Sequence, residues 1–353
     1  MANNSYLAAY NSHDAMKRNI IIALPVILLS LLILISCKQD KEMKIVKMGG
    51  ETQGTYYAVT CLVADSSNLQ HGIDSLLLRF DSSASVYKPN SIISRLNSND
   101  SAVRADSTFA FVFRRAMEVS ETTDGAFDIT VGPLVNAWGF GFTDRMKVDQ
   151  HVVDSLMPLV GYRKVSLVDG KLVKSDPRIR LDYNAIAQGY AVDLVAAFLE
   201  SKGITSYLID IGGEVVGKGT KPGGEQWNVG IEMPARDADA AREVEAVVSL
   251  KDMALSTSGN YRKYYEENGV RYSHTIDPAT GYPVKHPLLS VSVLAPDCVT
   301  ADAYATAFMV MGLEKAKQYL AGHKGLDAYF ISSGANGKME IFYTDGFRAI
   351  LQK

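Results

Sequence analysis

Four short stretches of the 353-residue chain carry more hydroxyls, carboxylates and glycines than their apolar surroundings require. Residues 123–141, TDGAFDITVGPLVNAWGFG, set four glycines around Asp128 and Trp138. Residues 181–193, LDYNAIAQGYAVD, hold Asp182 just ahead of a helical pattern. Residues 254–284 read ALSTSGNYRKYYEENGVRYSHTIDPATGYPV and hold Thr257, Ser258, Arg262, His274 and Asp277. In residues 300–312, TADAYATAFMVMG, Asp302 and Thr306 lie four apart, so a carboxylate and a hydroxyl stack on one helix face. Such groups together suit a phosphate-bearing ligand whose charge is bridged by a hard cation. Taken singly, each stretch also has a plain structural reading. Glycines serve turns, Asp182, Thr300 and Asp302 serve as helix caps, and DPATGYP is a turn closed by proline. Neither a P-loop signature nor a Rossmann glycine fingerprint follows a strand, which disfavours both classes.

The elements that must position these groups are legible from periodicity. A strand runs through Tyr56, Val59 and Cys61, and Leu69, Ile73, Leu76, Leu77 and Phe80 predict an amphipathic helix over 68–80. SSASVYKPNSIISRLN reads as a loop, followed by a helix from Ser107 that Gly125 ends. VSLVDGKLVK is a hairpin turning at Asp169-Gly170. Tyr190, Ala191, Leu194, Val195, Phe198 and Leu199 mark a further helix, closed by Gly203. SYLIDI, WNVGIE and LLSVSVLA read as strands, and two more meet at Asn336-Gly337. Without regular βαβ alternation this predicts an α+β fold, a mostly antiparallel sheet flanked by helices in one large domain over 48–350.

The chain is 47% hydrophobic and 21% charged with a formal net charge of -3, which describes a globular protein. No basic block is interleaved with aromatics, so nucleic-acid binding is not expected. Lys17 and Arg18 precede an apolar run from Ile20 to Ile35, then LISCKQDKE. This is the layout of an export signal over 1–36, with Met16 as an alternative start, and LISC resembles a bacterial lipobox acylated at Cys37. The run is shorter than the ~20 residues of a usual span. Residues 37–47 then form a lipidated tether. Cys61 and Cys298 suit a buried thiol as well as a bridge, and without a Cys/His cluster zinc is not expected. His13, His71, His151 and His323 show no ligand spacing.

The ordered series TQGTYY, SVYKPNSIISRLN, DGAFDITVGPLVNAWGFG, LDYNAIAQGYAVD, IGGEVVGKG, STSGNYRKYY, YSHTIDPATGYPV and TADAYATAF resembles the ApbE family from about Gly49 to Gly312. These are FAD:protein FMN transferases, many of them lipoproteins. The resemblance implies FAD as substrate, magnesium as cofactor, and transfer of FMN to a threonine hydroxyl of an exported target with release of AMP. It implies as partners the flavin-accepting subunits of membrane redox pumps, and a place in the bacterial cell envelope, lipid-anchored on the extracytoplasmic side. Magnesium falls to the side chains of Asp302 and Thr306 and the backbone carbonyl of Ala185, which moves Asp302 from cap to ligand. Flavin contacts fall at Gln53, Tyr87, Ala126, Phe127, Asp128, Asp182, Gln188 and Ile276. His274 is placed to take the proton from the attacking threonine. Gln188 stands where relatives often carry Lys or Glu, and Gln53 where Met is common. An FAD pyrophosphatase giving FMN and AMP, or a non-enzymatic FAD-binding lipoprotein, are the alternatives.

Overall fold

The computed structural model describes residues 42–141, 146–234, 241, 243–261, 264–267, 270–334 and 338–352. The expected leader, Met16, Cys37, Arg262 and the Asn336-Gly337 turn lie outside the described residues. In chain order the strands are β1 (Lys44–Thr52), β2 (Thr55–Val63), β3 (Val165–Val168), β4 (Lys171–Lys174), β5 (Tyr207–Ile211), β6 (Glu214–Lys218) and β7 (Trp227–Glu232). They continue as β8 (Val244–Leu250), β9 (Met253–Gly259), β10 (Tyr264–Glu267), β11 (Val270–Ser273), β12 (Leu288–Ala295), β13 (Asp327–Ser333) and β14 (Met339–Tyr343). The helices are α1 (Leu69–Ala84), α2 (Ile92–Asn97), α3 (Ser107–Thr122), α4 (Gly132–Ala137), α5 (Gln150–Leu156), α6 (Ala187–Ser201), α7 (Cys298–Gly322) and α8 (Asp345–Arg348).

Eight strands make the main sheet, in the order β1-β2-β5-β6-β9-β12-β13-β14, and from β2 onward each neighbouring pair is antiparallel. The α+β architecture expected from the sequence is the one observed. Helix α7 lies on β9 and β12 with α6 and α3 against its other side. A helix that is apolar all round must be enclosed in this way, and Ala301, Ala303, Ala305, Ala307, Phe308 and Met309 are buried. Burying one side chain such as Phe308 contributes about 1.5–3 kcal/mol. The helical run breaks at Gly312, whose φ of 73° is left-handed. At the break, His286 Nε2 lies 2.7 Å from the Met309 carbonyl oxygen.

Several elements escaped periodicity. The stretch read as a loop from residue 82 holds the end of α1 and then α2. Ser91 caps α2, its hydroxyl accepting the Ser94 N–H at 3.2 Å; six residues are too few to show a helical period. Strand β1 begins at Lys44, inside the segment read as tether, with Val46 and Met48 packed on the core. Strand β9 is hidden because ALSTSG carries hydroxyls on both faces. Cys61 and Cys298 are free, buried thiols, which settles the question of a bridge between them.

Candidate functional site

The site is built around the start of α7. Asp297 is the N-cap there, accepting the Thr300 N–H at 2.9 Å. Asp193 of α6 accepts the Cys298 and Val299 N–H groups, both at 2.8 Å. The exposed donors of that helix end are therefore met without Asp302, so Asp302 does not cap its own helix. It sits one turn further in, 5% exposed, and its Oδ2 accepts the Gly189 N–H of α6 at 2.9 Å. Gly189 is the third residue of α6, whose N-cap is Ile186, so its N–H is one of the helix-end donors without an intrahelical partner, and Ala185 lies just ahead of that cap. Among the described residues the Ala185 carbonyl accepts no hydrogen bond. Only glycine allows this approach, since a Cβ at 189 would stand 2.8 Å from Asp302 Cβ. Thr306, on the next turn, has its Oγ1 3.0 Å from Ser258 Oγ on β9.

Carboxylate and hydroxyl lie one turn apart on α7, the Ala185 carbonyl precedes the helix start that Asp302 contacts, and all three are hard oxygen donors. Among the described residues no three acids, histidines or cysteines gather into a metal cluster. A mixed set of one carboxylate with neutral oxygens is nonetheless what magnesium accepts, since it keeps waters and substrate phosphate oxygens in its other places. Burial pushes the Asp302 carboxyl up to about 7; the Gly189 N–H pulls the other way, and the Asp193 carboxylate adds a smaller upward push.

Glu214 was not singled out from the sequence. It opens β6, is 7% exposed, and its Oε1 lies 3.3 Å from Ser256 Oγ while its Oε2 is buried without a hydrogen-bond partner among the described residues. An acid directly after Gly212-Gly213, opening a strand that continues with Val215 and Val216, was the available signal.

The residues expected on the flavin side fall into neighbouring loops. Gln53 and Gly54 form the tight turn between β1 and β2, with φ of 51° and 73°. Gln53 Nε2 is buried without a partner, a donor still to be satisfied. Gln188 reaches the same corner, where β5 ends against the start of β2: a Cβ on Gly212 would meet its Nε2 at 2.7 Å and Thr55 Cγ2 at 2.8 Å. The loop after α3 places Ala126, buried Phe127 and buried Asp128 in succession. Asp128 is committed within the fold, accepting the Thr130 N–H and hydroxyl at 2.8 and 2.6 Å and the Tyr162 N–H at 2.7 Å. Burial pushes its carboxyl up against the pull of these bonds. The Asp182 N–H donates to the Ile129 carbonyl at 2.7 Å, which ties the two loops together. The Asp182 side chain accepts the Asn184 N–H at 2.8 Å, and burial pushes its carboxyl up. Asn184 Nδ2 donates to the hydroxyl of Tyr87 at 3.3 Å, and that ring is 58% exposed. Desolvation, then the nearby Asp182 charge, push the Tyr87 phenol up. Tyr87, Asp128 and Asp182 thus line one corner, and Ala185 follows three residues after Asp182.

Ile276 and His274 lie beyond β11. Ile276 is buried among Leu134, Trp138 and Val153 and bridges to Pro283. His274 is partly exposed and meets Phe140 edge-on, ring centroids 6.3 Å apart. A ladder of rings continues from there. Phe140 stacks on Tyr265 at 5.5 Å, Tyr265 on Tyr272 at 5.2 Å, and Tyr272 on Trp138 at 5.6 Å. The first glycine-rich stretch and the SHTIDP stretch therefore meet through Phe140, Trp138 and Ile276, as a shared ligand site requires.

Comparison with known proteins places the same residues in context. The ApbE family model matches residues 53–330. The FAD:protein FMN transferase of Haemophilus influenzae is 38% identical over 313 residues, covering 84% of this chain and 89% of its own length. The FAD:protein FMN transferase of Vibrio cholerae is 39% identical over 298 residues, covering 82% and 88%. Among solved structures, the flavin transferase ApbE from Vibrio cholerae superposes with a TM-score of 0.78 at 34% identity, over 87% of this chain and 99% of that one. The ApbE protein of Thermotoga maritima superposes with a TM-score of 0.77 at 26% identity, over 88% and 100%.

Proposed function

The chain belongs to the ApbE family and transfers FMN from FAD to target proteins, and from that premise we propose how its residues do so. Asp302, Thr306 and the Ala185 carbonyl hold a magnesium ion. The observation that carries this is the Asp302–Gly189 hydrogen bond, which brings the buried carboxylate to the start of α6, four residues from Ala185, with Thr306 one turn further along α7. Bound there, magnesium supplies charge neutralisation on the diphosphate oxygens of FAD. Gln53, Tyr87, the Ala126–Asp128 loop, Asp182, Gln188 and Ile276 hold the flavin nucleotide, and the largely exposed aromatic ring of Tyr87 suits stacking on a planar system.

The acceptor is a threonine hydroxyl of the target. Its oxygen bonds to the phosphorus of the FMN half, the bond from that phosphorus to the bridging oxygen breaks, and AMP leaves. His274 takes the hydroxyl proton, and holding the two reactants in line does much of the remaining work. The targets in this reading are exported proteins such as flavin-carrying subunits of membrane redox pumps. The basic flank, apolar run and LISC support anchoring through an acylated Cys37 on the extracytoplasmic side of the cell envelope. Mass spectrometry of the membrane-extracted protein should show that acylated peptide. Mature protein that keeps Ile20 to Ile35 would contradict it.

The deciding experiment incubates the protein with FAD, magnesium and a threonine-bearing acceptor domain. A covalently flavinylated acceptor with stoichiometric AMP is expected, and the acceptor's threonine-to-alanine variant should stay unlabelled. Free FMN plus AMP would instead mark a pyrophosphatase, and unchanged FAD a carrier.

A further inference from the structure

Strand β9 presents Ser256 and Ser258 on one face, two residues apart, while Thr257 turns to the other and lies 2.7 Å from Ser292 Oγ. Ser258 engages Thr306 of α7, so this face is the one that looks at the helix. Ser256 engages Glu214, so the Glu214 carboxylate lies on that same face, one strand over and one step along from Thr306. Asp302 is one helical turn from Thr306, on the same side of α7. Field effects agree with the placement: after burial, Asp302 is the next cause of the upward shift of the Glu214 carboxyl.

Glu214 is enclosed, and among the described residues only one of its oxygens is engaged and Oε2 has no partner. Leaving a buried acceptor unmet is costly, and an acid at that position opposes a second buried acid as well. A strand that merely closed the core would be better served by an apolar residue.

We propose that Glu214 is a further acidic group of the divalent-cation site, its Oε2 accepting a hydrogen bond from a water carried by the cation. This rests on the reading of Asp302, Thr306 and Ala185 as the metal donors. The unmet oxygen and the clustered negative charge are then answered together when the site fills. Outer groups of this kind commonly set metal affinity by about 10–100-fold.

The test is Mn2+ binding to the FAD-free protein, read from the electron paramagnetic resonance of the free ion at pH 8. Mn2+ suits carboxylate, carbonyl and water ligands, and the readout does not depend on turnover. Wild type should bind, and Asp302→Asn should lose binding. Glu214→Gln, which keeps shape and removes the charge, should bind about 10-fold or more weakly. Glu214→Asp, which keeps the charge on a shorter arm, should fall between Gln and wild type. Binding by Glu214→Gln within twofold of wild type, with Asp302→Asn still defective, overturns the role of Glu214 alone. Binding that Asp302→Asn leaves intact overturns the metal reading, and the role of Glu214 with it. Cooperative thermal unfolding of each variant shows that the fold is kept.

Discussion

Asp128 and Asp302 are both buried carboxylates in stretches rich in small residues, and they differ in what occupies their oxygens. Asp128 accepts three hydrogen bonds, from Thr130 N–H, the Thr130 hydroxyl and Tyr162 N–H, and so fastens the loop after α3 to the chain around residue 162. Asp302 has one hydrogen bond among the described residues, from the Gly189 N–H at the start of α6. One carboxylate holds the site's wall together. The other accepts only the Gly189 bond among the described residues, and across the sheet face Glu214 has a buried Oε2 without a partner among them. A buried charge is tolerated when its bonds are complete, and an incomplete one marks where something else must bind.

The widest separation between the two should come from Asp302→Ala. Metal-dependent transfer is expected to fall by about 10³-fold, as when a transition-state charge loses its main counter-charge, while thermal stability stays at or above wild type. Transfer within a few-fold of wild type at limiting magnesium would put Asp302 in the same structural role as Asp128. His274→Ala comes next, and it asks whether the proton is handled away from the acids. Single-turnover transfer at saturating FAD should slow by about 10²-fold or more, with FAD affinity by flavin fluorescence little changed. Collapse of affinity with the saturated rate preserved would make His274 a flavin contact. Asp128→Ala should act in the opposite sense to Asp302→Ala. It strands the Tyr162 N–H and costs about 3 kcal/mol of stability, visible as a lowered Tm, while the folded fraction keeps its Mn2+ affinity.

The two carboxylates also differ in how readable they were. Asp302 and Thr306 share a helix, and the four-residue spacing alone put them on one face. That Asp302 does not cap its helix was not readable, because it depends on Asp193, more than a hundred residues away, and on Asp297 filling that role. The resemblance implies Ala185 as a ligand; that the start of α6 meets Asp302 appears only once α6 and α7 pack. Glu214 was overlooked because its partners, Ser256 across the sheet and Asp302 on the covering helix, come from distant parts of the chain. The helices with a clean apolar period, α1, α3 and α6, were legible to within a few residues. Helix α2 and strand β9 were not, since one is shorter than two turns and the other carries hydroxyls toward the site.

The smallest effect, and the one that tests the incomplete carboxylate most directly, is on stability against pH. Burial pushes both Asp302 and Asp193 up to about 7. An unfolded aspartate has a pKa of about 3.9. The folded chain therefore holds protons that the unfolded chain sheds as pH rises above about 4, and stability is lost progressively until the folded groups ionise near 7. Above that the contribution is constant. Asp302→Asn removes one of these titrations and leaves the rest. The Tm of wild type minus that of Asp302→Asn, measured without divalent cation, should grow more negative from pH 5 to about pH 7 and then level. A swing of about 5 °C is the scale expected for a chain of this size. Magnesium at pH 8 should shrink the difference, because the cation then occupies the position that the proton holds in acid. A difference that stays flat from pH 5 to pH 8 would mean that Asp302 keeps its charge at no cost, as a fully hydrogen-bonded carboxylate does.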